Sequence, residues 1–319
     1  MTRSPAFRAL LFAAAISAVT IPAAQVARAQ SFPAAQGAGP AAPARVSAVT
    51  SVDGVLIHYD VFGDLTSAQT PLLVLHGAYM SADAMAPFVQ GFARSRPVIV
   101  LDQRGHGRTG DAPGPITFER LADDAAAVLD AAGVTRADVF GYSMGGSAAI
   151  QLAVRHPERV SKLVSAAAGS RFDTMYPAVV AGIAQITPDA FDNSPVRQEY
   201  DRLAPRPQDF PILVEKLKAL DATPYDWDEA MHALQHPTMI VMGDHDIVTP
   251  ENAVEMFRLR GGGASEVAAQ GYLTEPPPAR LLVLPATSHI GVMVEADTIV
   301  ALVSRFLEDE VPAMPPGFQ

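Results

Sequence analysis

The sequence predicts an α/β fold: a mostly parallel central sheet with helices on both faces, plus a small helical cap. Three observations carry that prediction. From residue 46 onward, short β-branched runs alternate with longer amphipathic segments. Most of the strand-like runs are apolar at nearly every position, as strands covered on both faces must be. The alternation then breaks between residues 171 and 236, where prolines, charges and scattered aromatics leave no strong strand signal.

In chain order, residues 1–29 read as an export signal. Arg3 and Arg8 form a short positive region, residues 9–24 are apolar, and Ala27-Arg28-Ala29 offers a small-residue cleavage site before Gln30. The apolar stretch is short for a membrane span, and Pro22 interrupts its end. The expected destination is the periplasm or the medium, with no stable membrane association. Residues 30–45, rich in Ala, Pro and Gly, read as a flexible leader.

The folded part is expected at 46–170 and 237–311, with the cap at 171–236 inserted between two sheet strands. Strands are predicted at 55–61, 72–75, 98–101, 137–140, 160–164, 239–242 and 281–284. Between residues 117 and 132, Phe118, Leu121, Ala122, Ala125, Val128 and Leu129 recur at helical spacing, with Thr117 placed as the N-cap. Residues 261–278 hold a triple glycine and a triple proline between a helix and a strand. That order places them as a structural loop at the sheet edge opposite the strand C-termini.

The composition narrows the chemistry. With 319 residues, 49% of them hydrophobic, the chain can bury one large core. A net charge of −11 repels nucleic acid and anionic lipid. Without cysteine there are no disulfides, no thiolate metal sites and no cysteine nucleophile. His245 lies between two aspartates, but no second histidine sits at metal-ligand spacing, and neither metal nor cofactor is expected.

Ser143 stands in Gly141-Tyr142-Ser143-Met144-Gly145, directly between a predicted strand and a helix-like run. Glycines on both sides permit a tight turn that presents the hydroxyl, which becomes a useful nucleophile only if a base takes its proton. Asp244 and Asp246 follow the strand at 239–242, and His289 follows the run at 281–284, so the order Ser, Asp, His matches this topology.

With His76-Gly77-Ala78 after one strand and Asp102-Gln103-Arg104-Gly105-His106-Gly107 after the next, these motifs resemble the α/β-hydrolase fold family across about residues 46–307. The resemblance implies a triad of Ser143, His289 and Asp246, with Asp244 as the competing acid. It further implies an oxyanion hole from the amides of Ala78 and Met144, with Tyr79 one residue beyond Ala78 lining the site. His76 and His106 are expected to support their loops rather than react.

Substrate contacts are expected from the cap. Phe172, Met175, Tyr176, Val179 and Ile183 form a spaced apolar set, and Tyr225 and Trp227 are placed to close the site. The substrate is expected to be a small molecule with an ester-type bond. Serine at the elbow argues against the dehalogenase and epoxide hydrolase branches, which use aspartate there. Carbon-carbon hydrolases, lactonases and perhydrolases share the triad and stay open, as does a ligand-binding protein with a residual site.

Overall fold

The computed structural model describes residues 44–313 and Gly317; the expected export signal and nearly all of the expected leader lie outside them. The elements run β1 (Arg45–Val52), β2 (Val55–Phe62), β3 (Leu72–Leu75), α1 (Ala86–Phe92), β4 (Val98–Leu101), α2 (Phe118–Ala131), β5 (Ala137–Tyr142), α3 (Met144–Arg155) and β6 (Val160–Ala166). The cap region follows with α4 (Pro177–Ala184), α5 (Pro195–Leu203), α6 (Phe210–Asp221) and α7 (Asp228–Ala233). The chain ends with β7 (Thr238–His245), α8 (Pro250–Leu259), α9 (Ser265–Gln270), β8 (Ala279–Ser288), α10 (Gly291–Val294) and α11 (Ala296–Leu307).

Eight strands form one sheet in the order β1-β2-β4-β3-β5-β6-β7-β8. The β1–β2 and β2–β4 pairs are antiparallel, and all the others are parallel. Side chains alternate across the sheet with the period of two that strands impose. Leu73, Leu75, Ile99, Leu101 and Val139 face the core under α2 and α3, whereas Leu72, Val74, Val98, Val100 and Phe140 face the core under α1 and α11. The central strands β3, β4 and β5 are thus apolar on both faces because helices cover both.

The chain steps from β3 outward to β4, then crosses to β5 on the other side of β3. This reversal opens a crevice at the C-terminal ends of β3 and β5, where open α/β sheets bind ligands. The loops after β3 and β5 carry His76 to Tyr79 and Ser143, so topology alone aims both at one place.

β1 is a strand that the periodicity did not indicate, and Arg45, expected in the leader, is its first residue. As an edge strand it is exposed or half-buried at every position and lacks an apolar run. Its signal lies in the turn instead: Asp53 and Gly54 both take positive φ, 49° and 79°, the conformation of a tight two-residue hairpin. The loop expected at 261–278 lies at the N-terminal end of β8, and the Pro278 carbonyl accepts from Thr238 N at 2.9 Å. It also contains the exposed helix α9. Among the described residues, no helix is long and apolar enough to cross a membrane.

Candidate active site

The turn after β5 holds Ser143 at φ 55° and ψ −121°, a conformation that L side chains adopt only when their surroundings enforce it. Two glycines make it possible. A Cβ on Gly141 would lie 2.0 Å from the Gly145 carbonyl oxygen, and one on Gly145 would lie 2.3 Å from that of Leu75. Helix α3 begins at Met144, the next residue, and Ser143 N donates to Ala166 O at 2.8 Å. The hydroxyl is therefore held at a helix start by backbone geometry on both sides.

His289 lies just past β8, with Nε2 2.9 Å from Ser143 Oγ and Nδ1 2.6 Å from Asp246 Oδ1. The Asp246 side chain is fully buried, and its Oδ1 also accepts from Ile247 N at 2.7 Å. Tyr142, the residue before the serine, donates its hydroxyl to His289 O at 2.9 Å and so ties the histidine backbone to the elbow. The carboxylate fixes Nδ1 as the protonated nitrogen, leaving Nε2 to accept from the serine.

Asp244 sits two residues away and does something different. It accepts from Ala286 N at 2.9 Å and Thr287 N at 3.0 Å, and pairs with His245 Nδ1 at 2.7 Å. The His245 hydrogen bond, reinforced by the two amides, holds its carboxyl down at about 2. Asp244 splints the strand ends that carry Asp246 and His289, and it does not touch the imidazole.

Two buried histidines shape the loop after β3. His76 Nε2 accepts from Gln103 N at 3.0 Å while Nδ1 donates to Gly77 O at 2.8 Å. His106 Nε2 accepts from Tyr79 N at 3.2 Å and Nδ1 donates to Arg104 O at 3.0 Å. Burial, reinforced by neighbouring His76, pushes His106 down to about 3, so the ring stays neutral and Nε2 stays an acceptor. The Tyr79 amide is thereby occupied. No acceptor among the described residues takes the amides of Ala78 or Met144, which remain available near the serine.

A model of the alpha/beta hydrolase fold matches residues 70–203. The 2-hydroxymuconate semialdehyde hydrolase of a Pseudomonas strain is 31% identical over 208 residues, 58% of this chain and 73% of that protein. The chain belongs to the α/β-hydrolase fold family. RutD of Caulobacter vibrioides, named as a carbamate hydrolase, is 36% identical over 126 residues, 39% of this chain. That match spans 46% of RutD, less than half the length of the relative. Among solved structures, an enol-lactonase from Burkholderia xenovorans superposes with a TM-score of 0.63 at 23% identity, covering 82% of this chain and all of the other, and shows the fold alone.

In this α/β-hydrolase, the helices between β6 and β7 pack on the same apolar cluster as Met144. Ile183, Phe191, Leu213, Leu217 and Trp227 belong to that cluster, and Ala78, Tyr79, Met175, Val179 and Tyr225 border it. Trp227 is buried, with its ring 5.3 Å from Phe118 and 4.1 Å from Tyr225, so it joins cap to body. Tyr176 is 44% exposed, and its amide bonds Ile247 O at 3.2 Å; of the expected cap contacts it is the one the fold turns outward. Among the described residues no group of side chains is arranged to hold a metal.

Proposed function

We propose that this chain is a serine hydrolase that cleaves a small ester-type substrate through an acyl-enzyme intermediate. One observation carries the reading: a single imidazole is hydrogen-bonded at once to the elbow serine, at 2.9 Å, and to a buried carboxylate, at 2.6 Å. Ser143 Oγ attacks the carbonyl as His289 Nε2 takes its proton, and Asp246 stabilises the imidazolium that forms. The amides of Ala78 and Met144 donate to the oxyanion. His289 then protonates the leaving alcohol, and a water molecule, deprotonated by the same nitrogen, releases the acid. Neither metal nor cofactor enters these steps.

The test is hydrolysis of p-nitrophenyl acetate, butyrate and octanoate beside the Ser143→Ala variant, with fluorophosphonate labelling of both. Multiple turnovers and labelling that vanish together in the variant support the reading and rank acyl size. A carbon-carbon hydrolase on the same residues is the second reading, favoured by the relative of which 73% is covered. Labelling without ester turnover would move the assignment there, or to a ligand-binding protein. Absence of both in folded protein would overturn the triad roles. Export directed by residues 1–29 is part of the proposal, and cell fractionation with mass determination of the mature N-terminus tests it.

A further inference from the structure

The sheet ends in two edges, β1 and β8, and they are built differently. The β8 edge is blunted: Pro285 interrupts it, and Ala286 beside it takes a positive φ of 52°. Proline, kinks and inward charges are how proteins keep a strand edge from pairing with another chain. β1 carries none of these. It runs in unbroken register against β2 from Arg45 to Val52, without proline and with Arg45 as its only charge.

The hydrogen-bonding groups that β1 leaves open can be identified. Val49 stands opposite His58, and His58 turns its main chain the other way, towards β4: Asp102 N donates to His58 O at 2.9 Å, and His58 N donates to Thr109 Oγ1 at 3.0 Å. At the start of the hairpin, Gly63 N donates to Ala44 O at 3.2 Å, so the even-numbered residues are the ones that bond β2. Bonded positions alternate along an antiparallel pair, which turns the amides and carbonyls of Arg45, Ser47, Val49 and Ser51 to the free edge.

Side chains along this edge are open as well. Val46 is 61% exposed and Val49 55%, and Leu56, on β2 opposite Ser51, is 63% exposed. Asp53, in the hairpin turn, is exposed and makes no hydrogen bond or ion pair among the described residues. Arg45 reaches Asp60 at 2.7 Å and Asp83 at 3.5 Å through Nη2 alone, which leaves Nη1 and Nε unengaged among the described residues.

The strand is complementary to itself. When β1 lies antiparallel to a second β1, the open groups meet only in registers whose opposed residue numbers sum to an even number. The register centred on Val49 obeys that rule, and unlike its neighbours it sets Arg45 of each chain opposite Asp53 of the other. It also brings Val46 against Val52, sets Val49 against Val49 at the two-fold axis, and forms about six main-chain hydrogen bonds. A two-fold contact uses the same patch on both chains, so the assembly closes at the dimer.

We infer that the protein forms a two-fold dimer through β1, in which a second copy of the chain joins the two eight-stranded sheets into one. The dimer does not depend on the serine chemistry.

The test is sedimentation equilibrium of the protein from about 1 to about 200 μM. The mass should double across that range, and raising NaCl from about 50 to about 500 mM should weaken association about threefold or more, because the end contacts are ionic. Asp53→Asn should weaken it by about threefold and remove most of that salt dependence. Val49→Lys sets like charges at the axis, and Val49→Pro removes the central pair of bonds without touching β2; both should remain monomeric with circular dichroism unchanged. The chain has no cysteine, so Val49→Cys can cross-link only to a second copy. Opposed Cα atoms about 5.5 Å apart fit a disulfide, and mild oxidation should join the two chains. Leu56→Cys, equally exposed but a strand further from the axis, should stay single under the same oxidation. A wild-type chain that stays monomeric throughout, a dimer that survives Val49→Lys, or cross-linking through Leu56→Cys in place of Val49→Cys would overturn the assignment. So would slow amide exchange at Ser47, Val49 and Ser51 that does not vary with concentration, since another part of the same chain would then cover the edge.

Discussion

The sheet-edge loops and the cap hold their residues by different means. Ser143, Asp246, His289 and the amides of Ala78 and Met144 are placed mainly by backbone: a strained turn, a helix start, two strand ends splinted by Asp244, and an amide fixed by His106. The cap is tied to the body by a few backbone bonds near its ends, such as Tyr176 N to Ile247 O, but its helices are held mainly by side chains, through Trp227 on Phe118, Phe191 on Tyr79 and the ion pair of Arg202 with Asp83 at 3.3 Å. Backbone anchoring keeps reacting atoms within tenths of an ångström, which chemistry demands. Side-chain anchoring tolerates substitution, which suits a part that chooses the substrate.

The largest break expected from that contrast is Ser143→Ala. It should lower ester turnover by roughly 10⁴-fold or more and abolish fluorophosphonate labelling, with circular dichroism unchanged. Next comes a paired test inside one turn. Asp246→Asn should cost on the order of 10⁴-fold in kcat, because the wrong imidazole tautomer is favoured, whereas Asp244→Asn should stay within about tenfold and show itself in a lowered melting temperature. Equal losses from the two would dissolve the distinction drawn between them.

In the cap, Trp227→Ala should destabilise that region by about 3 kcal/mol and raise KM, with kcat within about threefold of wild type. Limited proteolysis should cut first between residues 171 and 236. An exposed ion pair contributes little, so Arg202→Ala should move stability by less than about 1 kcal/mol and activity by less than threefold, the smallest effect of the set.

Acid sharpens the comparison from the other side. His106 is pushed down from its ordinary value of 6.5 to about 3. The unfolded chain then binds the proton that the folded chain refuses, so stability is lost as pH falls from about 6.5 towards 3. Burial would raise the Asp102 carboxyl, but hydrogen bonds from the amides of Ala82 and Arg108, with His58 Nδ1 3.5 Å away, outweigh it and hold it at about 2. Its contribution is present above its ordinary value of 3.8 and is lost as pH falls through 2. Urea denaturation between pH 7 and 4 should show a declining midpoint, and His106→Asn should flatten that slope.

Much of this molecule is legible before folding. β3 and β4 fall at the residues that their apolar runs indicate, and α2 starts after Thr117, whose hydroxyl accepts from Arg120 N at 3.2 Å. The elbow is legible too, because a positive φ at Ser143 and the close approach of Gly141 and Gly145 are steric requirements written into five consecutive residues. β1 escaped because an edge strand needs no buried run, although its Asp53-Gly54 turn was there to be read.

The sequence by itself determined the strand and helix pattern, the serine turn and the chain order of Ser143, Asp246 and His289, since sterics and hydrophobic period act over a few residues. Only the tertiary structure shows that Asp246, and not Asp244, meets His289, because that contact depends on where β8 returns His289 beside β7. It likewise decided that His106 takes the Tyr79 amide and leaves that of Ala78 unengaged. It also turned Tyr176 outward. Those choices join residues dozens of positions apart, and what joins them is sheet register and cap packing, which no local window contains.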